Sequence, residues 1–99
     1  MTDAPTFTLE RFQPLVGSRF TLRLHDASGL AARLVDARAG QGSAPPGRQP
    51  FSLIFEAPPE PALPQHIYRL EHPQLEAMDI FLVPVARVAG GLQYEAVFG

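Results

Sequence analysis

The side chains best equipped for chemistry in this chain are clustered at Tyr68, Arg69, Glu71 and His72. If Glu71 and His72 faced a pocket, the carboxylate and the imidazole could serve there as general acid and base. Successive residues of a strand point to opposite faces, so Arg69 and Glu71 would share one face and Tyr68 and His72 the other. We favour a structural role, in which Glu71 or His72 binds loop backbone amides next to Pro73, because side chains at strand ends often do so. A recognition surface is the second interpretation of this cluster, and catalysis is the third.

The histidines, cysteines and serines give no sign of a metal centre or a nucleophile. His66 and His72 lie on one face of the same predicted strand, about 20 Å apart, and His25 could approach only one of them. The chain has no cysteine, which excludes disulfides, zinc–thiolate sites and thiol nucleophiles. No serine follows the pattern of a nucleophile elbow, and no glycine-rich phosphate loop follows a strand. We therefore predict no catalytic residue, no metal ligand and no cofactor.

Composition bounds the class of protein. The 99 residues are 45% apolar and 18% charged, which is typical of one globular domain spanning residues 1–99. The net charge is −2, and this balance provides no basic stripe for nucleic acid. Residues 1–10 lack the pattern of a signal peptide, and no apolar run approaches the roughly 20 residues of a membrane helix. We expect a soluble, cytoplasmic protein with neither a nucleic-acid nor a membrane partner.

The elements that must position these residues are short strands. Thr8 is predicted to cap a short helix carrying Leu9, Phe12 and Val16. Alternating apolar and polar residues, bounded by proline and glycine, predict strands at 19–25, 30–37, 51–56, 66–72, 79–87 and 92–98. Residues 74–77 would form a turn or a single helical turn. We therefore expect an all-β fold with minor helix, namely a small antiparallel six-stranded barrel or sandwich. A flexible arm at 1–6 and a mobile loop at 40–50 complete it.

The fifth predicted strand is apolar on both faces. Ile80 and Phe81 point to opposite sides, so this strand is either covered by another element or lines a partner interface. Pro84 cannot donate to a ladder, which favours an edge position or a bulge. The predicted aromatic core is a separate set, whose members alternate with polar neighbours: Phe20, Phe51, Phe55 and Phe98.

Five segments carry a family resemblance: LVGSRF (15–20), PFSLIFEAP (50–58), LPQHIYRLEHP (63–73), DIFLVPV (79–85) and LQYEAVF (92–98). Together they resemble a small bacterial domain family of unknown function, and the resemblance covers nearly the whole chain. The LPQHIYRLEHP and YEAVF segments are its most specific parts. Some members of that family are encoded near phage-tail-collar-like or tail-fibre-like proteins. The resemblance implies no catalytic residues.

The leading functional hypothesis is a non-enzymatic protein-binding or assembly accessory protein, placed by the resemblance in a phage-tail-like or fibre-like system. Binding would bury apolar strand surface around residues 80–85, with Phe81 as its candidate contact, or would pair an exposed strand edge. A protein partner or self-association is expected, and self-association is the simplest version.

The alternative hypothesis is a small-molecule-binding β-barrel. A barrel of six strands is largely filled by its own side chains, so a ligand would sit at a mouth, near Arg69, His72 and Tyr94. The candidate binding residues from both hypotheses are Arg69, Glu71, His72, Phe81 and Tyr94. An enzyme is the third and weakest hypothesis, since no nucleophile or metal signal supports it.

Overall fold

The computed structural model describes residues 8–24, 26–40 and 50–98. The predicted arm at 1–6 and His25 lie outside the described residues. The predicted loop at 40–50 also lies outside them, except for its two end residues. There the Gly40 amide donates a 2.6 Å hydrogen bond to the Pro50 carbonyl, which joins the two ends.

One short helix, a 3-10 turn and six strands form within the described residues. Helix α1 spans Leu9–Phe12 and continues as a 3-10 turn over Gln13–Leu15. The strands are β1 (Arg19–Arg23), β2 (Gly29–Ala39), β3 (Phe51–Ala57), β4 (His66–His72), β5 (Leu75–Val88) and β6 (Gly91–Phe98). The predicted short N-terminal helix and the six strands are confirmed. Thr8 occupies the position before α1, but its side chain makes no capping hydrogen bond.

The start of β5 differs from the prediction. Residues 74–77 were expected to form a turn or a helical turn, but β5 begins at Leu75 and that prediction is wrong. The turn is confined to Pro73 and Gln74. It is short because the β4–β5 ladder continues to the pair His72 and Leu75, directly beside it.

The six strands form a closed antiparallel barrel in the order β1-β2-β3-β6-β5-β4. Of the two predicted architectures, the barrel is therefore the observed one. Closure comes from β1 and β4, where Thr21 pairs with Glu71 and Arg23 pairs with Arg69. Each strand has two hydrogen-bonded neighbours, so the barrel presents outer faces rather than an open sheet edge.

Three register shifts bend the strands. One falls between Pro84 and Ala86 in β5. Proline has no amide hydrogen to donate, so a bulge accommodates it inside a paired strand. Pro84 thus lies at a bulge, which is one of the two positions predicted for it.

The core is the barrel interior together with one end covered by α1. Phe20, Phe51 and Phe55 are buried as predicted, and Phe20 meets Phe55 edge-on with ring centroids 5.4 Å apart. Phe98 is half-buried and stacks on Phe51 at 4.6 Å. Phe12 of α1 is fully buried, with its ring centroid 5.8 Å from that of Phe51. This aromatic contact positions the helix at the end of the barrel.

Candidate functional site

His72 joins two segments that are distant in sequence. Its Nδ1 accepts a 3.0 Å hydrogen bond from the Gln74 backbone amide. Its Nε2 lies 3.2 Å from the Ser18 hydroxyl oxygen, and that hydroxyl donates to the Leu15 carbonyl at 2.6 Å. The imidazole also packs on Phe20, with ring centroids 4.5 Å apart. The expectation that a side chain at this strand end binds a loop amide is confirmed for His72.

A serine beside an imidazole resembles a nucleophile and its base, but the proton positions oppose that chemistry. Nδ1 of His72 accepts from the Gln74 amide, so the proton of the neutral ring is assigned to Nε2. Nε2–H then donates to Ser18, whose own proton goes to Leu15. A general base needs the lone pair of that nitrogen facing the hydroxyl. The arrangement is a structural link between the β4–β5 turn and the segment before β1.

Arg69 and Glu71 lie on the outer face of β4, as the alternation predicted. Glu71 accepts a 2.9 Å hydrogen bond from Arg23 of β1. Arg69 is 3.8 Å from Asp79 of β5, and both of these side chains are exposed. Exposed ion pairs of this kind contribute little free energy, about 0–1 kcal/mol each. They are cross-strand pairs on a solvated face rather than a pocket.

Tyr94 lies inside the barrel and fixes the loop between β3 and β4. Its side chain is fully buried, and its hydroxyl accepts a 3.0 Å hydrogen bond from the Leu63 amide. Tyr68 is also buried, and its hydroxyl donates to the Pro64 carbonyl at 2.6 Å. Burial, and secondarily the neighbouring Tyr94, raises the pKa of Tyr68 above its ordinary value. The two tyrosines hold this loop over the barrel interior.

The residues predicted to flank a ligand at the barrel mouth do not converge. Arg69 points outward, Tyr94 points inward to the Leu63 amide, and His72 is bonded to Ser18 and Gln74. The alternation of residues correctly predicted the face of the sheet on which each of the three lies, but it could not predict that their side chains stay apart. An open groove lies elsewhere, lined by Pro59, Glu60, Pro61, Ala62 and Arg87.

Phe81 lies in an apolar row on the outside of the barrel. Ile80 is buried in the core, whereas Phe81 is 52% exposed. Phe81 pairs with Ile67 of β4, which is 58% exposed. On the other side, Leu82 pairs with Ala96, which sets Val97 of β6 level with Phe81; Val97 is 70% exposed.

We call Ile67, Phe81 and Val97 the apolar row. The interpretation that another element of the chain covers this face of β5 is wrong, because α1 packs at the barrel end against Phe51 and Phe98. Sequence reasoning missed Ile67 and Val97. The sequence pattern could have indicated both, since each is an apolar residue at an outward position of an alternating strand, where a polar residue is usual.

Charged residues lie on both sides of the apolar row. Arg69 and Asp79 form a cross-strand pair on one side of it. On the other side Glu95 pairs in register with Val83. Among the described residues, Glu95 has no ion-pair partner within 4.0 Å. The row is thus an apolar strip with a mixed-charge rim.

Comparison with known proteins identifies the family. A family model described as a domain of unknown function (DUF6916) matches residues 7–98. The chain belongs to this family. The match spans all six strands and agrees with the resemblance to a small domain family of unknown function. No match was found among curated proteins or solved structures.

No helix in the described part of the chain is long and apolar enough to cross a membrane. Within residues 8–24, 26–40 and 50–98, no group of three or more histidines and carboxylates is placed to hold a metal ion.

Proposed function

We propose that this protein is a non-enzymatic protein-binding module, acting as an accessory in assembly, and that it binds through the outer face of β4, β5 and β6. The observation that carries the proposal is the apolar row, whose three side chains are each more than half exposed on adjacent strands. Contiguous exposed apolar side chains rimmed by polar residues are typical of protein-contact surfaces. Burial of Phe81, at the centre of the row, would drive binding.

The polar residues support this choice over the alternatives. Base catalysis through Ser18 and His72 would need a free lone pair facing the hydroxyl, but the hydrogen bonds of His72 assign its proton to the nitrogen beside Ser18. A ligand-binding mouth would need converging polar groups, but Arg69 and Tyr94 point to opposite sides of the sheet. The small-molecule-binding barrel is therefore the less supported function.

The biological setting is part of the proposal. The sequence resemblance, to a family with some members encoded near phage-tail-collar-like or tail-fibre-like proteins, supports a phage-tail-like or fibre-like system. A cytoplasmic location and the lack of a nucleic-acid partner belong to the same proposal, and the net charge of −2 supports the second of these. The family match names no activity, so the support for protein binding comes from the apolar row.

Affinity capture from the native cells, read by mass spectrometry, tests the proposal. Tagged wild-type protein is compared with Phe81→Asp and with Val16→Asp, a matched control at an exposed valine beside Gly17, remote in sequence from the row. We expect a partner, or an untagged copy, that the wild type and Val16→Asp retain and Phe81→Asp loses. Recovery of bait alone, or a partner that Phe81→Asp still retains, would contradict binding through this face.

A further inference from the structure

We infer that the partner of this face is a second copy of the same chain, docked about a two-fold axis that passes Phe81. The inference rests on the proposed function, in that this face binds protein, and it adds the identity and orientation of the occupant. Its basis is the arrangement of two charges around Phe81, Arg69 and Glu95.

The two charges are placed symmetrically. Arg69 pairs with Asp79, so it lies one strand to the side of Phe81 and two residues along. Glu95 pairs with Val83, so it lies one strand to the other side and two residues the opposite way. From strand spacing and rise, each is about 8 Å from Phe81 along the sheet. Phe81 is therefore the midpoint of the line that joins Arg69 to Glu95.

A two-fold interface brings the same patch together twice, so its charges must complement themselves. Consider an axis parallel to the sheet, through Phe81 and perpendicular to the line from Arg69 to Glu95. Rotation about it places Arg69 over Glu95 of the second copy, and Glu95 over Arg69 of the second copy. One orientation thus forms two equivalent ion pairs and sets Phe81 against its own counterpart. Asp79 then lies about 5 Å along the sheet from Glu95 of the second copy, so its repulsion offsets part of this attraction.

The present partners of these charges leave them available. Glu95 has no ion pair among the described residues, and Arg69 reaches Asp79 only at 3.8 Å, with both of those side chains exposed. An exposed pair of this kind is weak, so Arg69 can turn to a new carboxylate at little cost. An axis at this position brings the outer faces of the two copies together. Such contact needs no free strand edge, and every strand of the barrel already has two neighbours.

The size of the face sets the expected strength. By strand spacing and rise, the apolar row and its rim extend about 10 Å across the strands and about 14 Å along them, a smaller area than the roughly 800 Å² per partner of a standard stable interface. The dimer is therefore weak and depends on protein concentration. At high local concentration, as in an assembly with many copies, it would be well populated.

Charge exchange provides a specific test. Within one chain, the Cα atoms of Arg69 and Glu95 are about 16 Å apart by strand spacing and rise, too far for a direct ion pair. Any energetic coupling between them in association therefore reports a contact between copies. Arg69→Glu sets like charges against each other at both contacts, and so does Glu95→Arg. The double substitution restores both attractions.

Sedimentation equilibrium from about 5 to 500 µM measures the association, which is governed by mass action. We expect each single variant to weaken wild-type dimerisation about tenfold or more, equivalent to about 1.4 kcal/mol, and the double variant to recover it. Mixing the two single variants should form a mixed dimer, since the new acid of one then faces the new base of the other. Arg33→Glu, at an exposed arginine of β2 that is paired with Glu56 of β3, is the matched control and should associate like the wild type.

The possible results separate the inference from the proposed function. A wild-type protein that stays monomeric across the range overturns the second-copy inference. So does a dimer that either single variant leaves intact, or one that the double variant fails to restore. If captured partners are still lost from Phe81→Asp in those cases, the proposed function stands with a different occupant. Circular dichroism confirms folding, and the Arg69 and Glu95 variants decide the matter if Phe81→Asp does not fold.

Discussion

Ser18 and His72 are 54 positions apart in the chain, yet the Ser18 hydroxyl oxygen lies 3.2 Å from Nε2 of the imidazole. The contact ties the segment after α1 to the β4–β5 turn, whose Gln74 amide donates to Nδ1 of the same ring. The hydrogen bonds therefore run from the turn, through His72 and Ser18, to the Leu15 carbonyl. The link holds the helical segment against the barrel.

We expect His72→Ala to lower the free energy of unfolding by about 1–3 kcal/mol, because it leaves the Gln74 amide without its acceptor and removes the ring contact with Phe20. Ser18→Ala should cost about 1 kcal/mol. Urea unfolding of both single variants and the double variant measures their coupling. The double variant should be less destabilised than the sum of the two, as residues in one hydrogen-bonded chain are not independent. Strictly additive losses would show that Ser18 and His72 do not act together.

The raised pKa of Tyr68 predicts a loss of stability at alkaline pH. Its folded pKa lies above the ordinary tyrosine value of 10.0, so the unfolded chain gives up this proton first as the pH rises. The stabilisation is fully present below about pH 10 and decreases as the pH rises from there through the folded pKa. The chain has neither lysine nor cysteine, so no amine or thiol side chain loses a proton in this window.

Urea unfolding at pH 8, 10 and 11 compares the wild type with Tyr68→Phe, over the window set by the tyrosine pKa of about 10. The variant loses the hydrogen bond to the Pro64 carbonyl and should be less stable at pH 8 by about 1 kcal/mol. Its stability should then fall less steeply than that of the wild type as the pH rises. Parallel declines in the two proteins would assign the alkaline loss to another group.

Local alternation was enough to predict most of the fold. In β1, β3 and β6, apolar residues at every second position correctly identified the inward face, with Phe20, Phe55 and Tyr94 among them. The start of β5 was missed because residues 75–77 carry no clear alternation of their own. Their strand structure comes from pairing with β4.

Barrel closure and the linking hydrogen bonds could not be predicted in this way. The pairing of Thr21 with Glu71 is non-local, and neither segment contains a signal for the other. The same holds for the Tyr94 hydroxyl, which looked free to bind a ligand but accepts from Leu63, 31 positions away. The exposure of Phe81 also depends on where α1 packs, and the packing site of a helix cannot be predicted from the helix sequence alone.

Phe55 provides a direct test of the barrel core. Its ring is fully buried and meets Phe20 at 5.4 Å, so Phe55→Ala should cost about 3–5 kcal/mol in the free energy of unfolding. Phe81→Ala is the matched control on the outer surface and should cost less than about 1 kcal/mol at a concentration where the protein is monomeric. Guanidinium unfolding measures both. A loss below about 1 kcal/mol at Phe55 would be inconsistent with its position inside the barrel.

Tyr94 tests how the loop between β3 and β4 is held. Tyr94→Phe keeps the buried ring but removes the oxygen that accepts the Leu63 amide, leaving that donor without its partner. We expect a loss of about 1–3 kcal/mol in unfolding free energy, the range for an unsatisfied buried group. Amide hydrogen exchange at Leu63 should accelerate by more than global destabilisation explains, because the hydrogen bond that protects it is gone. The control is Tyr68→Phe, which removes a donor to the Pro64 carbonyl but leaves the Leu63 bond in place. If Leu63 exchanges equally fast in both variants, the loop is held by packing rather than by the Tyr94 hydroxyl.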